Sequence, residues 1–457
     1  MSRRQIDLGS GNVKRLLFSL ALPTITSQLV NMLYNLVDRI YIGHMQPAET
    51  VGRLALTGVG VSLPVILIIS AFAALLASGG APKASIEEGR GNHRAAEEIM
   101  GGCFTLLLCA SLLLTLILQI FAEPLLLTFG ASSNTIGYAV DYLRIYSLGT
   151  LFVQMTLGMN AFITAQGFTT VSMKTTLIGA VLNTVLDPIF IFALDLGVQG
   201  AALATVLSQA VSAVWVLRFL TGKDTKWKLR REYLRPRAKV VLPCVALGAA
   251  PFIMQSTESL IAVCFNSSLL KYGGDTAVGA MTVSGSIMQL AMMPVQGLGQ
   301  GAQPIISFNF GARNSRRVRD AFRCLLAASL GYTIVFWLAL QIFPQFFVKI
   351  FNDDPTLISY TVWALRIYMG SIGLFGIQMA CQQTFMSLGN AKTSLFLAVW
   401  RKIILLIPLI YILPGFFENK VFAVFLAEPI ADFLAVVTTA ILFFHQFRAA
   451  MAKLDQP

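Results

Sequence analysis

The sequence predicts an all-α polytopic membrane protein with twelve transmembrane helices in two six-helix lobes. Three observations support this: a strongly apolar composition, apolar segments long enough to cross a bilayer, and motifs shared by the two halves. Of the 457 residues, 56% are hydrophobic and 12% are charged, whereas soluble domains contain about 25% charged residues. A helix crosses the bilayer with about 20 apolar residues, so twelve crossings leave no room for a separate soluble domain. The composition therefore argues against a soluble enzyme, a disulfide-built secreted protein and a nucleic-acid-binding protein.

Windows of about 19 residues identify six apolar segments in each half of the chain. The first follows a basic N-terminal segment that includes Arg3 and Arg4, and no small-residue cleavage site interrupts it. We therefore expect a retained span rather than a signal peptide. The predicted spans are 16–42, 54–77, 99–121, 139–163, 173–195 and 200–220, then 241–268, 277–300, 319–343, 360–386, 394–413 and 421–445.

The longest polar segment, 221–239, contains eight lysines and arginines against two acidic residues. Because cytoplasmic loops are enriched in Lys and Arg, this segment is predicted to be a basic cytoplasmic linker between an N-terminal lobe, 1–220, and a C-terminal lobe, 240–457. Twelve spans place about 23 Lys and Arg in the cytoplasmic segments against four in the outer ones. This asymmetry predicts a multi-pass protein of the cell's inner (plasma) membrane with both termini cytoplasmic. The four outer residues are Arg53, Lys271, Lys349 and Lys420.

The two halves are related in sequence. Five residues that follow span 2 recur after span 8 at an offset of 222, and the tetrapeptide 143–146 recurs as 365–368 at the same offset. One offset shared by two motifs indicates an internal repeat. Since each half has an even number of spans, both halves point the same way, which predicts a parallel repeat about an axis along the membrane normal. The recurring residues are Gly79, Pro82, Ser85, Gly89 and Asn92, matched by Gly301, Pro304, Ser307, Gly311 and Asn314.

Four polar residues of the first half lie at membrane depth: Asp38, Asn183, Asp187 and Thr205. A rise of about 1.5 Å per residue places them at a depth of roughly 7 to 15 Å from the outer ends of their spans. Two carboxylates close together in low dielectric must share a proton or bind a cation. The four residues are therefore the candidate ion-coupling site, taking H⁺ or, as metal ligands, Na⁺. The alternative is that Asp38 pairs with neighbouring Arg39 while the asparagine and threonine bond only to helix backbones.

The second half lacks this constellation and carries other charged residues inside its spans. Glu428 and Asp432 lie one helical turn apart in span 12, and Arg401 and Lys402 lie in span 11. A structural ion-pair network between spans 11 and 12 is favoured over a substrate role, although both interpretations stay open. Glu258 in span 7 is harder to place. One interpretation is that it faces the cleft between the lobes and attracts a cationic substrate.

A substrate cleft between the lobes is expected to contain polar, aromatic and methionine side chains. Flexible, polarizable Met surfaces suit promiscuous apolar binding, although a Met stripe in a membrane helix is more often packing. The candidate cleft residues are Tyr34, Asn35, Gln255, Glu258, Met288 and Gln296.

Enzyme motifs are missing from the sequence. It contains no GxxxxGK[ST] loop, which predicts that the chain does not use ATP, and His44, His93 and His445 are too dispersed for a metal centre. The sequence therefore predicts no catalytic site and no cofactor other than a coupling ion.

The chain resembles the MATE family, the multidrug and toxic compound extrusion transporters, and within it the DinF-like and MepA-like branch. The resemblance covers essentially the whole chain and rests on two motifs, the segment 297–304 with the polar residues that follow span 8, and the segment 183–188 in span 5. The second motif is the more discriminating one. In the family, an aspartate of span 1, an asparagine and an aspartate of span 5 and a threonine of span 6 form the cation site. Here they match Asp38, Asn183, Asp187 and Thr205.

The resemblance implies Na⁺- or H⁺-driven export of amphipathic, often cationic drugs by rocking of two lobes in the lipid membrane. It departs from the other branch of the family, whose second lobe has its own acid site, because Glu258 is present in span 7 but span 10 has no matching acid. The alternative function is a flippase for lipid-linked precursors, which has a related two-lobe architecture. A flippase would need a more cationic lateral cleft, and the few cations of the spans weigh against it.

Overall fold

A computed structural model describes residues 7–351 and 355–456 of the chain, so Arg3 and Arg4 of the basic N-terminus lie outside the described residues. Within those ranges the regular structure is entirely helical. The α-helices are α1 Val13–Gly43, α2 Arg53–Gly89, α3 His93–Thr128, α4 Ile136–Leu148, α5 Thr150–Ala165, α6 Thr169–Pro188, α7 Gly197–Thr221, α8 Ala238–Gly311, α9 Ser315–Ile342, α10 Pro344–Lys349, α11 Pro355–Tyr368, α12 Ile372–Ser387, α13 Ala391–Val399, α14 Ile407–Ile412 and α15 Lys420–Asp455. Single π-helical segments occupy Ala48–Gly52, Ile189–Ala193 and Trp400–Leu406, and short 3₁₀ turns occupy Arg231–Tyr233 and Leu413–Gly415.

The helices account for twelve membrane spans. Among the described residues, nine helices are long and apolar enough to cross a bilayer, and the bent pairs α4–α5 and α11–α12 bring the number to eleven. The twelfth comes from α8, whose 74 residues contain a break at Gly274, where φ is 66° and ψ is −163°. Only glycine adopts this conformation without strain. The predicted all-α membrane fold is therefore confirmed.

Each bent pair is stabilised by the same side-chain contact. The bends of 57° between α4 and α5 and 47° between α11 and α12 leave carbonyl groups without a helical partner, which is costly where lipid replaces water. Gln119 Nε2 donates to the carbonyl of Arg144 at 2.8 Å, and Gln341 Nε2 donates to the carbonyl of Arg366 at 3.1 Å. Both glutamines and both arginines are separated by 222 residues, so the repeat preserves the bend together with its hydrogen bond.

The apolar side chains on the outer face of α3 are exposed. Leu112, Leu116 and Ile120 are 60% exposed or more, whereas Leu107 and Leu118 on the other face are buried. Spacings of four residues place the exposed group on one helix face. An apolar stripe of this length suits contact with lipid tails.

The helices that flank two predicted polar loops are longer than the hydropathy indicates. The loops 78–98 and 301–319 were expected as connections, but α2 continues to Gly89 and α8 to Gly311. The chain turns only at the next few residues, where Asn92 accepts from the backbone N–H of Ala95 and Asn314 from that of Arg317. Both asparagines cap the following helix. Hydropathy identifies the lipid-embedded part of a helix but not its polar extension into water.

Hydrogen bonds hold the basic linker, 221–239, against helix ends of the first unit. The side-chain oxygen of Gln166 accepts hydrogen bonds from Thr225 Oγ1 and from the backbone N–H groups of Lys226 and Trp227, at 2.8 to 3.0 Å. Trp227 is buried, and its indole donates to Glu88 at 2.9 Å. Burial lowers the pKa of the Lys226 ammonium, while Glu88 opposes the shift. The linker is therefore an ordered part of the fold.

Contacts divide the chain into two compact units. Among the described residues, the first unit contains Asp7 and 26–248, and the second contains 8–25 and the residues from Ala249 onward. The first part of α1 thus packs within the second unit, and the first part of α8 packs within the first. The lobe boundaries derived from sequence, 1–220 and 240–457, stay a prediction.

Glycines allow these helix segments to pack closely. A Cβ on Gly248 of α8 would lie 1.7 Å from the carbonyl oxygen of Leu75 on α2, and a Cβ on Gly79 would lie 1.9 Å from that of Cys244. In the second unit, a Cβ on Gly301 would lie 2.5 Å from the Cα of Ala21. Small residues are typical where membrane helices approach backbone to backbone. Gly79 and Gly301 belong to the repeat motif, which explains why both halves need glycine there.

Gly248→Ala is expected to destabilise the first unit, because the added methyl group overlaps a backbone carbonyl that cannot rotate away. Overpacking of this kind costs about 1–3 kcal/mol. Thermal unfolding of the purified protein in detergent measures the effect. Gly285→Ala is the matched control, since a Cβ on Gly285 meets nothing within 4 Å, and it should leave the midpoint unchanged or raise it. Equal midpoints for the two variants would contradict the packing argument.

Candidate functional site

The candidate ion site is built mainly from α6 and α7 of the first unit. Asn183 and Asp187 lie four residues apart on α6, and both are buried, with 2% and 0% of their surfaces exposed. Four residues is one helical turn, so the two side chains share a face. Pro188 ends α6, and the π-helical segment Ile189–Ala193 follows directly. Single π-helical turns are frequent at functional sites, and this one begins two residues after Asp187.

Small residues bring α7 close to the site. A Cβ on Gly179 of α6 would lie 2.8 Å from Ser212 Oγ, and a Cβ on Gly200 of α7 would lie 2.6 Å from the carbonyl oxygen of Phe190. This close approach lets short side chains of the two helices meet. Asn183 Nδ2 donates to Asp187 Oδ1 at 3.1 Å and to Thr205 Oγ1 of α7 at 3.3 Å. Three of the four candidate ion-site residues therefore form one hydrogen-bonded group.

Asp38 of α1 completes this group. Its side chain is 8% exposed, and its carboxyl group lies within hydrogen-bonding reach of the carboxyl group of Asp187. Arg39, the alternative partner, is exposed and forms no ion pair with Asp38 in the part of the chain that the structure describes. Thr205 also donates to the carbonyl of Ala201 in its own helix at 3.1 Å. It therefore bonds to its helix backbone, as the alternative predicts, and also takes part in the polar group of the site.

Three buried oxygen atoms of the group have no hydrogen-bond partner among the described residues. They are Asp38 Oδ1, Asp187 Oδ2 and Asn183 Oδ1. A buried polar atom without a partner costs free energy, and most such atoms in proteins are paired. Two adjacent carboxylates in low dielectric must also share a proton or bind a cation. Chemically, the group is suited to hold one small cation or one proton.

Tyrosines surround the carboxyl groups. Tyr142 is 4% exposed and lies beside Thr205, and its ring stacks on Tyr146 with centroids 6.0 Å apart. Tyr34 lies close enough to interact electrostatically with both Asp38 and Asp187. Sequence reasoning missed Tyr142. The signal was a difference between the repeats, because an offset of 222 matches Tyr142 to Ala364.

The charged residues of the second unit form a separate group. Arg401 Nε donates to Asp432 Oδ1 at 2.7 Å, and Arg401 Nη2 donates to Glu428 Oε1 at 3.0 Å. Lys402 Nζ donates to Glu258 Oε1 at 2.7 Å. The ion pairs expected between spans 11 and 12 are thus present. Glu258, which the sequence identifies as a candidate cleft residue, is the ion-pair partner of the buried Lys402.

The predicted cleft residues divide between the two units. Tyr34 and Asn35 belong to the first, where Asn35 donates to the carbonyl of Asn31 at 2.7 Å. The other four belong to the second, in which Met288 packs against the hydrophobic core and Gln296 is exposed. Their assignment to one substrate cleft stays a prediction. The four residues of the second unit are Gln255, Glu258, Met288 and Gln296.

Comparison with known families gives a match over both halves of the chain. The family model MatE matches residues 23–189 and 250–412. Two curated relatives are both called "Multidrug export protein MepA". The protein from Staphylococcus haemolyticus is 24% identical over 418 residues, which is 91% of each chain, and the protein from Staphylococcus aureus strain N315 is 23% identical over 429 residues, which is 92% of each chain.

Solved structures share the same fold over the whole length. A "multidrug resistance MATE family transporter of the MOP superfamily" in an outward-facing conformation gives a TM-score of 0.90 at 23% identity, with 100% of both chains covered. A "MATE in the bent conformation" gives a TM-score of 0.92 at 22% identity, with 99% of this chain and 100% of that chain covered. These values show that the fold is shared over the whole length of the chain.

Proposed function

Because the chain belongs to the MatE family, whose model matches it in both halves, we propose that it is a cation-coupled multidrug efflux antiporter. Its substrates are amphipathic, often cationic compounds, which it exports by alternating access. The curated relatives named as multidrug export proteins support the substrate class. The energy source is an ion gradient rather than ATP, in keeping with a sequence that has no phosphate-binding loop.

The observation that carries the coupling mechanism is the set of three buried, unpartnered oxygens on Asp38, Asp187 and Asn183. Uptake of one H⁺ or Na⁺ from the outside would cancel one of the two negative charges of the paired carboxylates and favour release of the drug outward. Discharge of the ion inside would return the negative charge and reset the cycle. The ion is thus the second substrate of the antiporter, and its binding energy biases one of two conformations.

The two candidate ions use the site differently. A proton needs only one carboxylate lone pair and would be shared between Asp38 and Asp187. Na⁺ would use oxygen ligands from both carboxylates together with Asn183 Oδ1 and Thr205 Oγ1. Oxygen donors suit hard cations, so the chemistry of the donor set is compatible with either ion.

We place the protein in the cell's inner (plasma) membrane with both termini in the cytoplasm. The family and the apolar helices support a multi-pass membrane protein. The orientation follows from the eight basic residues of 221–239, which the positive-inside rule assigns to the cytoplasmic face. Surrounding lipid contacts the exposed apolar side chains, such as those of α3.

Ethidium export from reconstituted vesicles tests the proposal. The wild-type protein is expected to move ethidium when either a pH gradient or a Na⁺ gradient is imposed, and the gradient that works identifies the coupling ion. Vesicles without protein and vesicles without a gradient are the controls. Ethidium movement that needs no gradient would contradict coupling, and failure of both gradients with a panel of cationic dyes would contradict the multidrug assignment.

A further inference from the structure

The second unit contains a buried charged group that the proposed mechanism does not use. Arg401, Glu428 and Asp432 are 6%, 3% and 2% exposed. Arg401 lies in the π-helical segment Trp400–Leu406, and the two acidic residues lie one turn apart on α15. We call these three residues the Arg401 triad. Buried charged groups inside a membrane protein are expensive and are by default functional candidates.

The charges of the Arg401 triad do not cancel. One guanidinium faces two carboxylates, which leaves one negative charge in excess when all three are ionised. The neighbouring pair Lys402–Glu258 is neutral and contributes no further cation. The charged and titratable groups that face Glu428 are Arg401, Lys402, Asp432, Glu258 and, from α11, Tyr368. Among them, two cations face three carboxylates.

The hydrogen bonds indicate which carboxylate carries the excess negative charge. Asp432 has the shorter bond to Arg401, at 2.7 Å, whereas the bond of Glu428 Oε1 is 3.0 Å. The second oxygen, Glu428 Oε2, is buried and has no partner in the described part of the chain. A buried carboxylate oxygen with neither water nor a donor is unfavourable when it is ionised. Protonation of this oxygen removes the excess negative charge, which is the main cost of burying it.

We propose that Glu428 is a proton-binding site of the second unit and that it holds one proton at neutral pH. Its ligand is H⁺ rather than a metal ion, because the Arg401 guanidinium already occupies the space between the carboxylates and repels a second cation. Arg401 is a positioning residue, held over the ring of Phe375 with 4.5 Å between the guanidinium carbon and the ring centroid.

The position of the triad in the repeat strengthens this assignment. In the first unit the candidate ion site lies on spans 5 and 6, next to the π-helical segment Ile189–Ala193. In the second unit the triad lies on the equivalent spans 11 and 12, and Arg401 is inside the π-helical segment of span 11. The two units therefore share a buried carboxylate next to a π-helical segment. In the first unit Asp187 precedes that segment on span 5, whereas in the second unit the acids of span 12 bind Arg401 within the segment of span 11.

Infrared spectroscopy of the purified protein tests the proposal without any transport assay, so its outcome is separate from that of the proposed function. The difference spectrum between wild type and Glu428→Gln at neutral pH is expected to contain the carbonyl band of one protonated carboxylic acid. Loss of a carboxylate band instead would overturn the proposal. Glu418→Gln is the matched control, because Glu418 is exposed in the loop before α15 and should lose only carboxylate signal.

Asp432→Asn provides a second, independent test, which also decides the case if Glu428→Gln does not fold. Removal of the Asp432 charge leaves Arg401 and Glu428 as a balanced pair, so Glu428 should release its proton. The carbonyl band should then disappear from this variant although Glu428 is still present. A band that persists in Asp432→Asn would overturn the charge argument, and a merely structural role for Glu428 predicts no such change.

Discussion

Asp38→Asn and Asp187→Asn are each expected to reduce gradient-driven ethidium efflux to the level of vesicles without protein, while the fold remains intact. The carboxylates lie within reach of each other and are buried with Asn183. An asparagine has nearly the same shape as the aspartate but cannot bind or release a proton, and it offers Na⁺ a neutral ligand. The coupling ion would therefore lose its charge-neutralising role, and the gradient would no longer bias the conformational equilibrium.

Asp195→Asn is the matched control for this experiment. Asp195 belongs to the same unit and follows the same helix, but it is exposed. Its φ is 53°, a conformation that asparagine tolerates well, so the control should fold and transport like the wild type. Thermal midpoints of all three variants separate a coupling defect from a folding defect. Normal efflux by both Asp38→Asn and Asp187→Asn, at normal abundance, would contradict the assignment of the ion site.

The general fold could be read from the sequence because lipid imposes a simple rule. Every backbone group in a bilayer must be bonded internally, so apolar segments of sufficient length become helices. The repeat was equally visible in the sequence, and in the structure its equivalent residues form equivalent hydrogen bonds. Ser85 Oγ donates to the carbonyl of Ala165, and Ser307 Oγ donates to that of Ser387. Both donors and both acceptors differ by 222 positions.

Details set by polar contacts were harder to predict. Hydropathy located the bilayer-embedded part of α2 but not its continuation to Gly89, because a helix that leaves the membrane becomes polar. Tyr142 resembles an ordinary core aromatic in an apolar span, and only its replacement by Ala364 in the other half distinguishes it. The contact between Lys402 and Glu258 joins residues 144 positions apart. A single sequence does not indicate which residues at such a separation come into contact.

The ion site itself was predictable to the extent that charge is rare in these spans. Asp38 and Asp187 were identified because membrane depth makes any carboxylate conspicuous, and the structure brings them together. The same reasoning identified Arg401, Glu428 and Asp432 but left two interpretations open. Their geometry is compatible with both the structural and the functional interpretation. One guanidinium binds both acids as an ion-pair network, and this leaves one negative charge in excess, which a proton can neutralise.

Arg401→Met is expected to be the most destabilising single substitution in the second unit. Methionine fills much of the same volume, but it donates no hydrogen bond to Glu428 or Asp432 and leaves the ionised Asp432 buried without its counter-charge. Removal of one partner from a buried ion pair costs about 3–5 kcal/mol. The thermal midpoint of the purified protein, or its abundance in the membrane if it does not survive purification, measures the loss. Arg366→Met is the control, because Arg366 is exposed and its side chain forms no ion pair in the described residues.

The triple variant Arg401→Met, Glu428→Gln, Asp432→Asn distinguishes loss of charge balance from loss of packing. With both acids neutral, no buried charge remains in the triad, and an uncompensated buried charge is what makes removal of one partner costly. The triple variant should therefore recover most of the stability that Arg401→Met loses. If it remains as unstable as the single variant, the van der Waals contact of Arg401 with Phe375, rather than the electrostatic balance, would be the main contribution of the arginine.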